Sequence, residues 1–315
     1  MFDLISVGEM LIDFLPGDEP GVYIRKAGGA PANVAIAAAR NGLRVGFCGR
    51  TGDDDFGRFL FETLRKNDVV VLYPEPVKEA TTTMAFVTLR ENGERSFTFA
   101  RKPGADMFLT KADVEASGVR ETRILHAGSC SLSRPPASEA TAYAMSIAAQ
   151  AGSLVSFDVN YRDPLWDGDR AAAIHEVQSV LPHVDLLKIS DEELDFVGGE
   201  ANIPTLMKED DIAAVVLTVG AKGACCYWGS TKLFAKGILA NCVDATGAGD
   251  AFWGAFLSHI VREGVESAEQ LTHALLKEAM IDGNLAGRLC VQKKGAIESL
   301  PTREQIEQLR KELAL

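Results

Sequence analysis

The stretch DATGAGDAFWGAF, from Asp244 to Phe256, places a Gly-Ala-Gly-Asp segment directly in front of an apolar helix. Apolar side chains recur at helical spacing from Phe252 to Val261, and Gly264 is suited to end the helix. This spacing places Asp250 at or beside the N-cap, where a carboxylate can serve simply as a helix cap. Alternatively, the glycines expose backbone N–H groups at the positive end of the helix, beside a carboxylate that could accept a proton. The segment therefore predicts either a capped helix or an anion site with its own base.

A second glycine-rich segment, GGAPAN from Gly28 to Asn33, precedes another predicted helix. Its two glycines let the backbone approach a ligand closely, and its proline suits a first helical turn. Asn33 could form a hydrogen bond with a ligand hydroxyl, although a plain helix-start loop explains the segment equally well. Asp13 follows the first strand between Ile12 and Phe14. Because an unpaired buried acid is costly, Asp13 either lies at an exposed edge or holds hydroxyl groups.

Composition restricts the class of protein. The 315 residues are 47% hydrophobic and 24% charged, which is typical of a globular protein with one large domain and an appendage. The net charge of −12 argues against nucleic-acid binding. The six cysteines lack metal-binding spacing, the N-terminus MFDLISVGEM lacks the basic region of a signal peptide, and no apolar run is long enough to span a membrane. We expect a cytoplasmic protein that binds neither nucleic acid nor membrane.

Strand and helix patterns alternate along most of the chain. Strands are predicted within 4–11, 44–50, 123–132, 153–160, 185–190 and 213–220, and helices within 33–40, 56–66, 138–150 and 171–180. Buried strands that alternate with helices form a parallel sheet covered on both faces. The predicted fold class is therefore α/β, a Rossmann-like three-layer α/β/α arrangement with a mainly parallel central sheet.

One segment departs from this alternation. Residues 81–100 contain two β-rich runs around Asn92-Gly93, which is a strong hairpin signal. A partner strand could come from about 15–26. We predict a small β-sheet, inserted from about 14–27 and 81–102, that lies over one edge of the large domain. It is either a decorative extension or a lid that excludes water from a phosphoryl-transfer site.

Several common motifs are absent from the sequence or incomplete. There is no G-x-x-x-x-G-K-[ST] segment, and a dinucleotide fingerprint would need glycine at Phe252. Asp55 to Gly57 spells DFG, but the other protein-kinase motifs are missing. The sequence has no H-E-x-x-H or G-x-S-x-G, and its five histidines are dispersed. These observations argue against P-loop enzymes, protein kinases and histidine metal sites.

The two glycine-rich segments together resemble a known family. GGAPANVA (28–35) and DATGAGDAF (244–252) are similar to the two signatures of the ribokinase-type (PfkB) carbohydrate kinases. VGEMLIDF, FARKPGAD, SFDVNYRDPLW, LLKISDEE, LTVGAKGA and KKGAIESLP occur in the family's order, so the resemblance runs end to end. GGAPANVA and DVNYRDPLW most resemble the fructokinase branch. The resemblance implies a single ribokinase-like kinase domain over residues 1–315.

The resemblance also implies roles for individual residues. Asp250 would be the base that activates the acceptor hydroxyl, and the amides around Gly247, Ala248 and Gly249 would form an anion hole for the phosphoryl group. This agrees with the chemistry, because phosphoryl transfer needs mainly positioning and charge stabilisation. The implied sugar-binding residues are Asp13, Gly28, Gly29, Asn33, Arg101 from the lid strand, and Arg162. Alternatively, Arg101 is a solvated strand-end charge and Arg162 forms a helix-start salt bridge.

For the nucleotide and its ions, the resemblance implies a further set of residues. ATP would contact Lys188, Ser190, Thr218, Gly220, Lys222, Gly223 and Asn284. Glu193 and Asp158 would hold Mg²⁺ through water, and Asp244 and Thr246 would take part in a K⁺ site. Two positions depart from the family pattern: Ser190 replaces the Asn of Asn-x-x-Glu, and Ala245 replaces a frequent Thr. Lys222 could equally be a solvent-exposed turn residue.

These observations predict an ATP-dependent sugar kinase, with D-fructose and its 6-hydroxyl as the favoured acceptor and ATP and Mg²⁺ as cofactors. A 2-keto-3-deoxygluconate kinase is the alternative within the class, kept open by the cationic Arg101, Lys102 and Arg162. A catalytically silent sugar-binding protein is an alternative of another class, which the intact Asp250 and Gly-Ala-Gly disfavour. A nucleoside kinase is disfavoured by GGAPANVA. The sequence leaves the exact sugar and the oligomeric state open, with a homodimer as one option.

Overall fold

A central sheet of nine strands and a small sheet of four strands form the part of the chain that the computed structural model describes, residues 1–17, 19, 21–89 and 95–315. The strands are β1 (Phe2–Val7), β2 (Leu11–Pro16), β3 (Tyr23–Gly28), β4 (Val45–Cys48), β5 (Val69–Val71), β6 (Met84–Leu89), β7 (Arg95–Ala100), β8 (Thr122–Gly128), β9 (Leu154–Asp158), β10 (Leu186–Ser190), β11 (Ala214–Thr218), β12 (Gly223–Trp228) and β13 (Thr231–Lys236). The helices are α1 (Ala30–Arg40), α2 (Asp55–Lys66), α3 (Lys111–Ala116), α4 (Ala137–Gln150), α5 (Arg170–Val180), α6 (Ile203–Glu209), α7 (Ala248–Arg262), α8 (His273–Cys290), α9 (Ala296–Ser299) and α10 (Arg303–Glu312).

The central sheet has the order β13-β12-β11-β10-β9-β8-β1-β4-β5. Seven of its strands pair in parallel, whereas β12 and β13 continue the edge in antiparallel pairing. The neighbouring side chains Leu4 and Ile5 belong to two different hydrophobic clusters, because successive side chains of a strand face opposite sides of the sheet. One cluster contains buried residues of α1, α2, α7, α8 and α10, and the other contains those of α3, α4, α5 and α6. The predicted three-layer α/β/α architecture is confirmed.

The small sheet has the order β3-β2-β6-β7, and we call it the lid sheet. The two β-rich runs of the predicted hairpin are present as β6 and β7, which pair antiparallel. The Asn92-Gly93 turn lies outside the described residues. The single partner strand expected within 15–26 is in fact two strands, β2 and β3, which pair with each other.

Some predicted element boundaries were wrong. The apolar run LISVGEML was expected to be one strand, but β1 ends at Val7 and β2 begins at Leu11 in the other sheet. The strand expected over 123–132 ends at Gly128, and a 3₁₀ turn follows from Ser129 to Ser133. A mainly parallel sheet was predicted, and its antiparallel strands are β12 and β13, which follow the turn from Gly220 to Gly223. Among the described residues, no helix combines the length and apolar character needed to cross a bilayer.

Candidate active site

Helices α1 and α7 pack closely against each other, and this packing brings together segments more than 200 residues apart in sequence. A Cβ at Gly254 of α7 would overlap the side chain of Ala37 in α1, so glycine at this position permits the close approach. The first turns of the two helices then lie side by side. As a result, the Asn33 amide donates from Nδ2 to the Asp250 carboxylate at 2.7 Å.

Asp250 lies in the first turn of α7 but does not cap it. The helix begins at Ala248 with Gly247 as N-cap, whose positive φ of 80° suits glycine, and Asp250 is the third helical residue. The predicted position at or beside the N-cap was therefore wrong, and the side chain makes no capping hydrogen bond. Only 9% of Asp250 is exposed, and burial raises its pKa above the ordinary value, against the opposing effect of the Asn33 hydrogen bond.

The first turn of α7 presents backbone N–H groups beside this carboxylate. The Ala248 N–H donates to the carbonyl of Ala245 at 3.2 Å. The N–H groups of Gly249 and Asp250 have no acceptor within the helix, because the first turn of an α-helix leaves such groups unpaired. They lie at the positive end of the helix dipole and can bind an anion.

A cavity of about 100 Å³ lies between α7 and the lid sheet, and we call it the lid cavity. Its lining includes the predicted residues Asp13, Gly29, Asn33, Arg162 and Asp250. Burial raises the pKa of Asp13 to about 7, with Arg162 lowering it and Asp250 raising it. Gly28 lies behind the Asp13 carboxylate, in a position where a Cβ would displace it. Most of the predicted sugar-binding residues are thus brought together.

Glu9 is a further acidic residue of the lid cavity, and it was missed in the sequence. It is 3% exposed, its Oε1 accepts from the Ala30 N–H at 3.3 Å, and its Oε2 is buried without a partner among the described residues. Burial raises the pKa of Glu9 to about 7. The available signal was an acid just after a buried strand, the same signal that identified Asp13.

Arg101 is the predicted sugar-binding residue that the structure places elsewhere. Its guanidinium forms a buried ion pair with Asp106 at 2.7 Å and donates to the Ser133 hydroxyl at 2.8 Å. It does not line the lid cavity but a separate open groove beside Lys102 and Arg134. The Arg101 charge is therefore neutralised within the protein.

A second cavity of about 230 Å³, the middle cavity, shares Asn160 and Arg162 with the lid cavity. Its lining also includes Lys188, Ser190, Glu193, Thr218 and Gly249. Lys188 Nζ donates to Asp158 at 2.7 Å, and both side chains are buried. Although burial alone would lower the pKa of Lys188, the surrounding carboxylates keep it above the ordinary value. Lys188 is therefore a fixed cation in the wall of this cavity.

The two residues expected to hold Mg²⁺ differ in their surroundings. Both oxygens of Glu193 accept backbone N–H groups, from Tyr161 at 2.7 Å and from Ser190 at 2.8 Å. Asp158 Oδ1 is buried and has no hydrogen-bond partner in the described part of the chain. No cluster of three or more acidic, His or Cys ligands occurs among the described residues. These residues fit a Mg²⁺ that is bound mainly by phosphates and water, the usual pattern for this ion.

A third cavity of about 300 Å³, the outer cavity, shares Thr218 and Gly249 with the middle cavity. The predicted residues Gly220, Gly223 and Asn284 line it, whereas Lys222 is exposed and does not. Asn284 Nδ2 donates to the carbonyls of Ala235 and Lys236 at 3.1 and 3.2 Å, which fixes the end of β13. Apolar lining residues that were not predicted include Ile238, Ala240, Phe252 and Val291. Because neighbouring cavities share lining residues, the three lie side by side, and we call them together the cleft.

Asp244 connects the loop before α7 to the turn before α9. Its Oδ1 accepts the Thr246 N–H at 2.8 Å, and its Oδ2 accepts the Gly295 N–H at 3.0 Å. These bonds fix the position of both backbone segments beside the first turn of α7. A negative carboxylate between two fixed loops is compatible with a monovalent cation bound by nearby carbonyl groups.

The sequence profile of the pfkB family carbohydrate kinases matches residues 1–303. The chain belongs to this family. A relative named probable fructokinase-2, from Arabidopsis thaliana, is 40% identical in an alignment of length 315 that covers 95% of this chain and 93% of the relative. The crystal structure of a fructokinase from Xylella fastidiosa with bound ATP is similar, with a TM-score of 0.90, 30% identity and 99% coverage of both chains. A fructokinase double mutant from Vibrio cholerae O395, with fructose, ADP and potassium ion bound, has a TM-score of 0.87, 33% identity and 97% coverage of both chains.

Proposed function

We propose that this carbohydrate kinase transfers the γ-phosphoryl group of ATP to the 6-hydroxyl of D-fructose and forms fructose 6-phosphate and ADP. The observation that carries the proposal is the position of Asp250. This buried carboxylate lines the lid cavity and lies beside the positive end of α7. Lys188 lines the neighbouring middle cavity. Relatives that are named fructokinases, one of them crystallised with fructose and ADP, support the choice of sugar.

The geometry supports the following reaction. Fructose occupies the lid cavity with its hydroxyl groups on Asp13 and Asn33, and the triphosphate lies in the middle cavity. Asp250 accepts the proton of the 6-hydroxyl as that oxygen forms a bond to the γ-phosphorus, and the bond from phosphorus to the ADP oxygen breaks. The amides of the first turn of α7, with Lys188 and Arg162, stabilise the charge of the transferring group.

When bound, Mg²⁺ would neutralise charge on the triphosphate, with Asp158 and Glu193 holding it through water. The adenosine part of ATP occupies the outer cavity. Its apolar walls around Ile238 and Phe252 suit a purine base, and Gly220 and Gly223 allow close approach of the backbone. Ser190 lies in the middle cavity, where its hydroxyl can contact phosphate in place of the amide that is common in the family.

The charges of the lid cavity favour a neutral sugar over a sugar acid. Three carboxyl groups line it, those of Glu9, Asp13 and Asp250, and the cation in its lining is Arg162. Arg101, which a sugar acid would need, is already paired with Asp106. Because an unpaired buried charge costs several kcal/mol, 2-keto-3-deoxygluconate is the weaker candidate.

The test is a substrate panel with the wild-type protein, ATP and Mg²⁺. Fructose, glucose, ribose, 2-keto-3-deoxygluconate and a ribonucleoside are compared by kcat/KM, and the position of the new phosphate is assigned by NMR. We expect the highest value for fructose, with the phosphate at O6. A preference for the acid would overturn the assignment of fructose. Absence of ADP formation with every acceptor would favour a silent sugar-binding protein.

We also propose a K⁺ site beside the first turn of α7, formed by Asp244, the carbonyls around Thr246 and those of residues 293–296. The ion would stabilise the loop that precedes the anion-binding amides without touching the substrate. Replacing K⁺ by tetramethylammonium at constant ionic strength should lower kcat. A rate that is independent of the cation would remove the ion from the mechanism.

A further inference from the structure

We propose that Asn33 is the positioning residue of the catalytic base: it binds one oxygen of Asp250, so that the other faces the acceptor hydroxyl, and its own carbonyl oxygen holds a second sugar hydroxyl. This inference rests on the proposed function, because it assigns Asp250 as the base. The amide of Asn33 would then take part in both sugar binding and the positioning of the group that accepts the proton.

The first step of the argument is the contact between the two side chains. Asn33 Nδ2 donates to Asp250 Oδ2 at 2.7 Å, and the two residues are 5% and 9% exposed. A carboxylate only accepts hydrogen bonds, so the amide nitrogen of Asn33 must face it. Because this bond occupies Oδ2, Oδ1 of Asp250 is the oxygen that remains for the acceptor hydroxyl.

The second step is the other end of the same amide. Asn33 Oδ1 is buried and has no hydrogen-bond partner among the described residues, and Asn33 lines the lid cavity. A buried acceptor without a donor is unfavourable, and a donor on a ligand can remove this penalty. A hydroxyl of the bound sugar is such a donor. The rigid amide then fixes this hydroxyl relative to Asp250.

The third step is the electrostatic surroundings of Asp250. Asp13 on β2 and Asp158 on β9 disfavour its negative charge, whereas Lys188 on β10 and Arg162 after β9 favour it. Asn33 on α1 is the uncharged donor in this set, and its hydrogen bond lowers the pKa of Asp250. Removing that bond should raise the pKa, because the ionised carboxylate loses a stabilising donor.

The test compares Asn33→Leu, which is similar in shape but lacks polar atoms, with wild type. At saturating fructose we expect kcat to fall by about 10²-fold, the usual effect of a reacting group misplaced by about 1 Å. We expect the acidic limb of the kcat–pH profile to shift to higher pH. An increase in KM with unchanged kcat and an unmoved limb would overturn the proposal and leave Asn33 as a sugar ligand only.

Two controls make the outcome specific. Asp13→Asn removes a sugar contact and a negative neighbour of Asp250, so it should raise KM without moving the acidic limb upward. If the leucine variant does not fold, Asn33→Ser, which is smaller and polar, repeats the test. In each variant, an unchanged affinity for ATP shows that the outer cavity is intact. If wild type proves to prefer another sugar, fructose is wrong, and the same profiles measured with that sugar still decide the role of Asn33.

Discussion

At the residue scale, the site depends on a carboxylate that is kept in a buried, polar position. Replacing it tests whether Asp250 acts as a base. In Asp250→Asn, the introduced amide oxygen can still accept from Asn33, so folding and fructose binding should be retained. We expect kcat to fall by about 10²–10⁴, the usual contribution of a general base. The melting temperature should not fall, because this side chain does not cap the helix and burial already disfavours its ionised form. A kcat close to wild type would exclude Asp250 as the base.

The residues of the site differed in how far the sequence could predict them. Asn33, Asp250 and the glycine turns were recognisable because each lies at a turn or helix start, where the local pattern fixes its place. Asp13 was expected just after a strand but lies within β2. The partner of Arg101 was missed, although Asp106 is only five residues further along the chain, because no predicted element fixed the turn that joins them. Glu9 was missed because the strand pattern ran across it without interruption. Local sequence thus predicted where groups lie, but not which charges neutralise each other.

At the element scale, the lid sheet supplies part of the cavity wall. Asp13 and Leu11 on β2 and Phe99 on β7 line the lid cavity. We expect bound sugar to slow amide hydrogen exchange in β2 and β6, because ligand contacts stabilise the closed arrangement. The comparison strand is β9, which is buried in the central sheet and should show no change. Unchanged exchange in β2 and β6 at saturating fructose would contradict a lid.

The elements themselves were predictable where the pattern was unambiguous. Alternating buried strands and helices identified six of the seven parallel strands, and the short β5 was missed. The antiparallel β13 was not located because Thr231–Lys236 alternates over only a few residues and lies at the edge of the sheet. The boundary between β1 and β2 was missed because apolar residues resume at Met10 directly after Gly8 and Glu9, and only the two-sheet arrangement separates the strands.

One buried carboxylate joins helix α10 to helices α7 and α8. Asp282 on α8 accepts hydrogen bonds from His259 and Arg262 on α7, and from Arg303 and Arg310 on α10, at 2.7–3.1 Å. Asp282→Asn should lower the free energy of unfolding by about 2–3 kcal/mol. This is below the roughly 3–5 kcal/mol of a fully buried pair, because the three arginine side chains remain partly exposed.

Chemical denaturation of this variant measures the effect, with Glu278→Gln as the matched control. Glu278 also binds Arg310, but it is half-exposed, so its loss should cost less than about 1 kcal/mol. The kcat of folded Asp282→Asn should equal wild type, because Asp282 lines none of the three cavities of the cleft. Equal losses of unfolding free energy in the two variants would mean that the buried Asp282 stabilises the fold no more than the half-exposed Glu278 does.

At the scale of the whole molecule, the cleft runs past the carboxyl ends of the parallel strands of the central sheet, from the lid cavity to the outer cavity. The carboxyl ends of parallel strands commonly form such sites, because loops and helix N-termini meet there. Here the carboxyl ends of the strands bring several carboxylates into a buried region, which would stabilise a bound polyol but opposes folding. The groups that are proposed to bind sugar should therefore make the stability of the free protein depend on pH.

Replacing Asp13 measures how much a buried carboxylate lowers the free energy of unfolding. Its pKa is about 7 in the folded protein and close to 3.8 when unfolded, so between these values the folded protein binds more protons than the unfolded chain. Raising the pH through this range therefore lowers the free energy of unfolding. Asp13→Asn removes the titrating group while keeping its shape. We expect the melting temperature of the variant to exceed that of wild type at pH 8, and the difference to shrink toward pH 5, where Asp13 is mostly protonated in the folded protein.

Differential scanning calorimetry of both proteins from pH 5 to pH 8, without sugar, measures the effect. Glu62→Gln, at an exposed position of α2, is the control and should show no pH-dependent difference from wild type. The gain in stability should be accompanied by a large loss of kcat/KM for fructose, because the same carboxylate is proposed to hold the sugar. A difference between Asp13→Asn and wild type that stays constant across this range would mean that Asp13 is already ionised in the folded protein. In that case, burial of this carboxylate would not limit the stability of the sugar-free enzyme.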